Sequence, residues 1–148
     1  DARLVSTSVG AVRFGTNRVV LAVPAGNPAR ISSTASLADE RLRVAVCAID
    51  VPCGAATHAL GLPVAADTEE PSVRAVVSRL SLGEADVGVV YQTDVRAVDG
   101  IDRVPGVDLP PSVVEYWAES LTADGDRFVS YLRSDAAIKI LHDHGFDA

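Results

Sequence analysis

With 148 residues, 48% of them apolar and 22% charged, the chain fits one ordinary domain or two small lobes and is too apolar for a disordered segment. Its net charge is −7, and Lys139 is the one lysine among thirteen basic residues, so a phosphate-tracking nucleic-acid surface is excluded. No apolar run approaches the roughly 18 residues of a membrane-spanning helix.

The chain opens at Asp1-Ala2-Arg3 without a starting methionine or a signal peptide, as a mature form or a piece of a longer protein does. Arg18 to Pro24 is a compact apolar run that reads as a buried strand, and Ala25-Gly26-Asn27-Pro28 is the turn that follows it. Ser36-Leu37-Ala38-Asp39 predicts a short helix capped by Ser36. Arg43 to Cys47 is the next strand, Val51-Pro52-Cys53-Gly54 its turn, and Ala55 to Leu60 a helix stopped by Gly61.

Glu69-Glu70-Pro71-Ser72 opens a further helix, with Pro71 in the first turn, where its missing N–H costs nothing. Val73, Val76, Val77 and Leu80 recur at helical spacing until Gly83, and Asp86 to Tyr91 is again a strand. Alternating strands and helices predict an α/β fold with a largely parallel sheet. In the tail, Ser112 to Leu121 predicts a strand, Phe128, Tyr131 and Leu132 a helical stripe. A last helix is capped by Ser134 or Asp135, carries Ile138 and Leu141, and ends at Gly145.

The chemistry concentrates at two helix starts and one strand end. The Val51-Pro52-Cys53-Gly54-Ala55 turn and the Glu70-Pro71-Ser72-Val73 start each leave free N–H groups, and the helix dipole adds positive potential. Tyr91 places a phenol donor at the end of an apolar strand. Ligands of open α/β sheets sit beyond the carboxyl ends of the strands, where all three belong. Each helix start contributes about 0.3–1 kcal/mol toward an anion, so converging neutral donors can hold a dianion without lysine or arginine. Each feature also has an ordinary reading, because most helix starts bind nothing and most strand-end tyrosines pack.

Cys47 and Cys53 are the only cysteines. They form a disulfide across the turn, worth roughly 2 kcal/mol in the loop-entropy model, or remain as buried thiols. A metal site by direct side-chain ligation is not expected, since no histidine or carboxylate falls at ligand spacing. A Cys53 nucleophile is a further reading. His58 lies in the same helix, poorly placed as its base, while His142 and His144 belong to the last helix, so no catalytic residue is assigned.

Four stretches carry a resemblance. Phe14 to Pro28 looks like the crossover strand of the molybdate-binding proteins of ABC transporters. Val44-Ala45-Val46-Cys47 through Cys53-Gly54-Ala55-Ala56 resembles that family's anion-binding turn. Gly83 to Val95 is similar to its most recognisable segment, and Phe128 to Leu132 with Ile140 to Phe146 to its last helices.

The resemblance implies a type II periplasmic-binding fold of two α/β lobes closing on an oxyanion, with no enzymatic step. It implies that Cys53, Val73 and Tyr91 bind molybdate or tungstate as ligand with no cofactor, and it favours the Cys47–Cys53 disulfide and an extracytoplasmic location. Residues 18–106 match the complete second lobe, while 1–17 and 107–148 match remnants of the first lobe and the crossover. The family's opening segment, which bears two serine loops, has no counterpart here. The connection from Gly61 to Glu70 is short, Trp117 stands where proline is usual, and the Thr122–Asp126 loop is abbreviated.

The implied partners are the oxyanion and an ABC-transporter permease, with no nucleic acid. Exposure of Val113, Tyr116, Trp117, Phe128 and Leu132 is expected to drive self-association or capture of the missing segment. The competing reading is a ligand-sensing domain of an intracellular regulator, which reduced thiols together with an upstream helix-turn-helix would favour.

Overall fold

A computed structural model describes residues 10–109 and 113–148, with the backbone alone at Val113 and Ala123. The expectations for residues 1–9, for Ser112 and for the Val113 side chain lie outside the described residues. The chain divides into two compact units, a larger one, Asn17–Val114, and a smaller one formed by Glu115–Ala148 with the residues up to Thr16.

In the larger unit the strand order is β3-β2-β4-β1-β5. The strands are β1 (Val12–Pro24), β2 (Val44–Cys47), β3 (Thr68–Glu70), β4 (Val87–Tyr91) and β5 (Ile101–Arg103). β2 runs parallel to β3 and β4, but β1 is antiparallel to both β4 and β5, so the sheet is mixed rather than largely parallel. Alternation of strand and helix signals says nothing about a strand that enters from outside the unit, as β1 does.

Fully apolar strands fill the interior: Val44 to Cys47 and Val87 to Val90 are buried without interruption, as a sheet covered on both faces requires. One core gathers Leu21, Leu37, Val44 and Val89. The other, on the opposite face, gathers Val20, Val76, Leu80 and Val90.

The helices are α1 (Pro52–His58), α2 (Val73–Ser81) and α3 (Gln92–Ala97). α1 begins at Pro52, three positions before the expected Ala55, because proline suits a first turn. Thr68–Glu70 is a strand, so Pro71 lies outside α2 and Ser72 is its cap, the Ser72 Oγ accepting from the Ala75 N–H at 3.3 Å. Bonding to β2 overrides the weak strand preference of two glutamates. Glu70 is buried against the Arg79 guanidinium, which ties α2 to β3. The expected helix at Ser36 is a 3₁₀ turn, Thr34–Ala38, with Ser33 and not Ser36 at the cap position and no capping hydrogen bond from the Ser33 side chain. After β1, Asn27 adopts φ +49° and its side chain clasps the Ile31 N–H and C=O, both at 2.8 Å.

In the smaller unit β6 (Val113–Ala118) pairs with β1, followed by α4 (Ala123–Tyr131) and α5 (Asp135–Asp143). Ser134 caps α5, and Gly145 follows it at φ +90°. Tyr116 is half-buried rather than exposed, its ring 6.1 Å from Phe14 and 5.3 Å from Phe146. Leu132 is also half-buried, whereas Trp117, Leu121, Phe128, Tyr131 and Ile140 are exposed.

Candidate functional site

The parallel strands end together. Cys47 of β2 pairs with Glu70 of β3, and the β2–β4 register, Val44 with Val87 and Ala45 with Gly88, brings Ala48 level with Tyr91. Each strand then runs into a helix: β2 into α1 through cap Val51, β3 into α2 through cap Ser72, and β4 into α3 with Tyr91 itself as cap. β1 runs the other way, so its Asn17–Val19 stretch reaches the same edge, Val19 pairing with Tyr91. Cys53, Val73 and Tyr91 therefore stand on one edge, and all three pack on a single apolar cluster.

The donors at this edge follow from helix geometry. Ala55 is the first α1 residue whose N–H finds a carbonyl, that of Val51 at 2.9 Å, and Ala75 is the first in α2, bonding Ser72 O at 3.1 Å. The N–H groups of Cys53, Gly54, Val73 and Arg74 precede those bonds and have no acceptor among the described residues. Pro52 stands at the α1 start, where its missing N–H costs nothing. Aligned peptide dipoles place partial positive charge at the same points.

Two features fix the α1 start. Cys47 and Cys53 are joined by a disulfide with a Cα–Cα distance of 5.7 Å, tying the end of β2 to the first turn of α1. The bridge leaves no thiolate, which overturns the cysteine-nucleophile reading, and it removes the reduced thiols that would have favoured the intracellular sensor. Gly54 then lies so close to the chain it follows that a Cβ there would sit 1.8 Å from the Ala48 carbonyl oxygen.

Four residues of this edge have no counterpart in the donor set read from the sequence. Asn17 is buried at 3% exposure, its Nδ2 donating to Thr93 Oγ1 at 2.9 Å and its Oδ1 accepting from the Arg18 N–H at 2.9 Å. Asp94 accepts the Tyr91 N–H at 2.9 Å. Burial pushes the Asp94 carboxyl above its ordinary value, while that hydrogen bond and the nearby Arg74 charge pull it back down. Arg74 is thus within electrostatic reach of Asp94, and the edge is not built of neutral donors alone. The signal for Asp94 was in the sequence: Tyr91 followed three positions later by an acid is a helix-start pattern. Asn17 carried no such signal, since its partner lies 76 positions away. Among the described residues no group of three histidines, cysteines or carboxylates is arranged to hold a metal ion, and no helix is long and apolar enough to cross a membrane.

Comparison with known proteins agrees with this architecture. A molybdate-binding protein ModA of Mycobacterium bovis is 36% identical over 145 residues, which cover 90% of this chain and 55% of that protein. The substrate-binding domain of a putative molybdenum ABC transporter from Clostridium difficile superposes with a TM-score of 0.68 at 22% identity, over 93% of this chain and 66% of that one. The periplasmic molybdate-binding protein of Azotobacter vinelandii gives a TM-score of 0.65 at 20% identity, over 95% of this chain and 68% of that one. The fold is the α/β fold of the periplasmic binding proteins, and the chain spans about half the length of the curated relatives it matches. Those relatives bind solutes and are not enzymes. The family model for bacterial extracellular solute-binding proteins matches residues 2–147, so the chain belongs to that family, whose place is the extracytoplasmic side of the membrane.

Proposed function

We propose that this chain binds a tetrahedral oxyanion, molybdate or tungstate, and serves ABC-type import by presenting it to a membrane permease. One observation carries the reading: three parallel strands end level, and the helices after two of them open with N–H groups that have no acceptor among the described residues. Such groups suit an anion too large and too diffuse for a single basic side chain. In this reading the Cys53 and Val73 amides and the Tyr91 phenol are donors to the anion, and the disulfide stiffens the turn that presents Cys53. The identity to ModA, a molybdate-binding protein by name, supports the choice of oxyanion. The larger unit is then the lobe that carries these donors, and the smaller unit a part of the other lobe.

Titration calorimetry with sodium molybdate, tungstate and sulfate tests this. Binding of the first two with sulfate weaker is expected, and the absence of heat with all three would rule the reading out. Because the chain spans 55% of its relative's length, an affinity weaker than about 1 μM is expected, near −8 kcal/mol at most. Submicromolar binding would mean that the donors named here suffice alone.

A further inference from the structure

We propose that the Thr93 hydroxyl is a further donor to the bound oxyanion, and that Asn17 is the positioning residue that aims its proton. The inference rests on the oxyanion reading above and adds a residue to it.

Hydrogen-bond polarity fixes the direction of each contact. The Arg18 N–H can only donate, so the oxygen it meets at 2.9 Å identifies Asn17 Oδ1 as the acceptor end of the amide. The amide nitrogen then faces Thr93 Oγ1 at 2.9 Å, and it too can only donate. Thr93 must accept there. A hydroxyl has a single proton, and with a lone pair committed to Asn17 that proton is free to go to another acceptor. No acceptor for it is found among the described residues.

Asn17 is 3% exposed, so water does not compete for the amide, and a buried amide that gave up either bond would be left costly and unsatisfied. Its orientation is therefore held by the fold.

The position is as telling as the polarity. Val19 pairs with Tyr91 at the end of the antiparallel ladder, and Asn17 and Thr93, each two positions beyond that pair, meet through their side chains. Thr93 thus lies two residues after Tyr91, at the edge where the Cys53 and Val73 amides also emerge. A hydroxyl that accepts from Asn17 keeps its proton to give, which matches a fully deprotonated tetrahedral anion, since that offers only acceptors.

The test uses the labelled full chain titrated with sodium molybdate and followed by amide chemical shifts, with Tyr91→Phe as the control on the oxyanion reading. Thr93→Val, which keeps the shape and removes the hydroxyl, is expected to weaken binding about tenfold. Thr93→Ser is expected to restore it to within about twofold, since the hydroxyl alone is at stake. Asn17→Ala should weaken binding too, and combined with Thr93→Val should add nothing further, because Asn17 acts through Thr93.

Equal binding by Thr93→Val and the unaltered chain, with Tyr91→Phe weakened, would overturn this inference and leave the oxyanion reading standing. A Thr93→Ser variant as weak as Thr93→Val would also overturn it, because a retained hydroxyl would then fail to preserve binding. If the unaltered chain shows no shifts with molybdate, both fall. Should Asn17→Ala fail to fold, the two Thr93 variants decide the matter.

Discussion

Tyr91 has two jobs that separate by atom. Its backbone N–H is held by Asp94 and its ring packs on the core, while in the oxyanion reading its phenolic oxygen meets the ligand. Tyr91→Phe is therefore expected to leave the melting temperature nearly unchanged while weakening molybdate binding about tenfold, as loss of one hydrogen bond to a charged group does. Calorimetry and a thermal melt on the same sample check it.

Asp94 gives the opposite effect. Burial raises its carboxyl pKa, so the folded state favours the neutral acid; the stability this contributes is full at low pH and is lost as pH rises through the folded value. Asp94→Asn keeps an oxygen for the Tyr91 N–H and removes the charge. The variant is expected to melt higher than the unaltered chain at pH 7 and to converge with it below the ordinary aspartate range. Its anion affinity at pH 7 should rise on the order of threefold, since a half-buried negative charge has left the edge.

At the scale of elements, the α1 start is held by a bond and by a missing side chain. Gly54→Ala would force a Cβ to 1.8 Å from a backbone oxygen, which no rotamer change relieves, so α1 must shift away from β2. A loss of about 3 kcal/mol or outright failure to fold is expected, read by urea denaturation. Replacing both Cys47 and Cys53 by alanine removes only the crosslink and part of the packing. A loss of about 2 kcal/mol is expected by the same measurement, with a retained fold and weakened molybdate binding. The short strand Thr68–Glu70 and the turn of helix after Tyr91 illustrate what element-level reading misses. Neither has an apolar period of its own; β3 exists because β2 offers an unpaired edge, and α3 because Tyr91 and Asp94 start it.

For the whole molecule, the two units differ in how well they cover themselves. The larger unit holds nearly all the buried apolar residues, whereas in the smaller unit Ala137 is the one buried apolar side chain among the described residues. Trp117, Leu121, Phe128, Tyr131 and Ile140 are 45% to 92% exposed there. Apolar surface of this kind is seldom left to solvent. In isolation the chain is expected to self-associate in sedimentation and to bind an exposed-hydrophobe dye, and Trp117→Asp with Phe128→Ser should reduce both. A monomer at all concentrations, dark to the dye, would show that this surface is tolerated as it stands.

Much of the architecture could be read from residues alone, because its signals are local. Continuous apolar runs gave β2 and β4, the Val73, Val76, Val77 and Leu80 period gave α2, and turns of glycine and proline separated them. The three candidate donors were legible for the same reason, being first-turn or strand-end positions. What only the tertiary structure decided is whatever depends on partners far apart in the chain. The direction of β1, the buried Asn17 that meets Thr93 and the closeness of Arg74 to Asp94 are of this kind. Local periodicity records which face of an element is apolar. It does not record which polar group waits on the neighbouring strand, and a binding edge is made of such meetings.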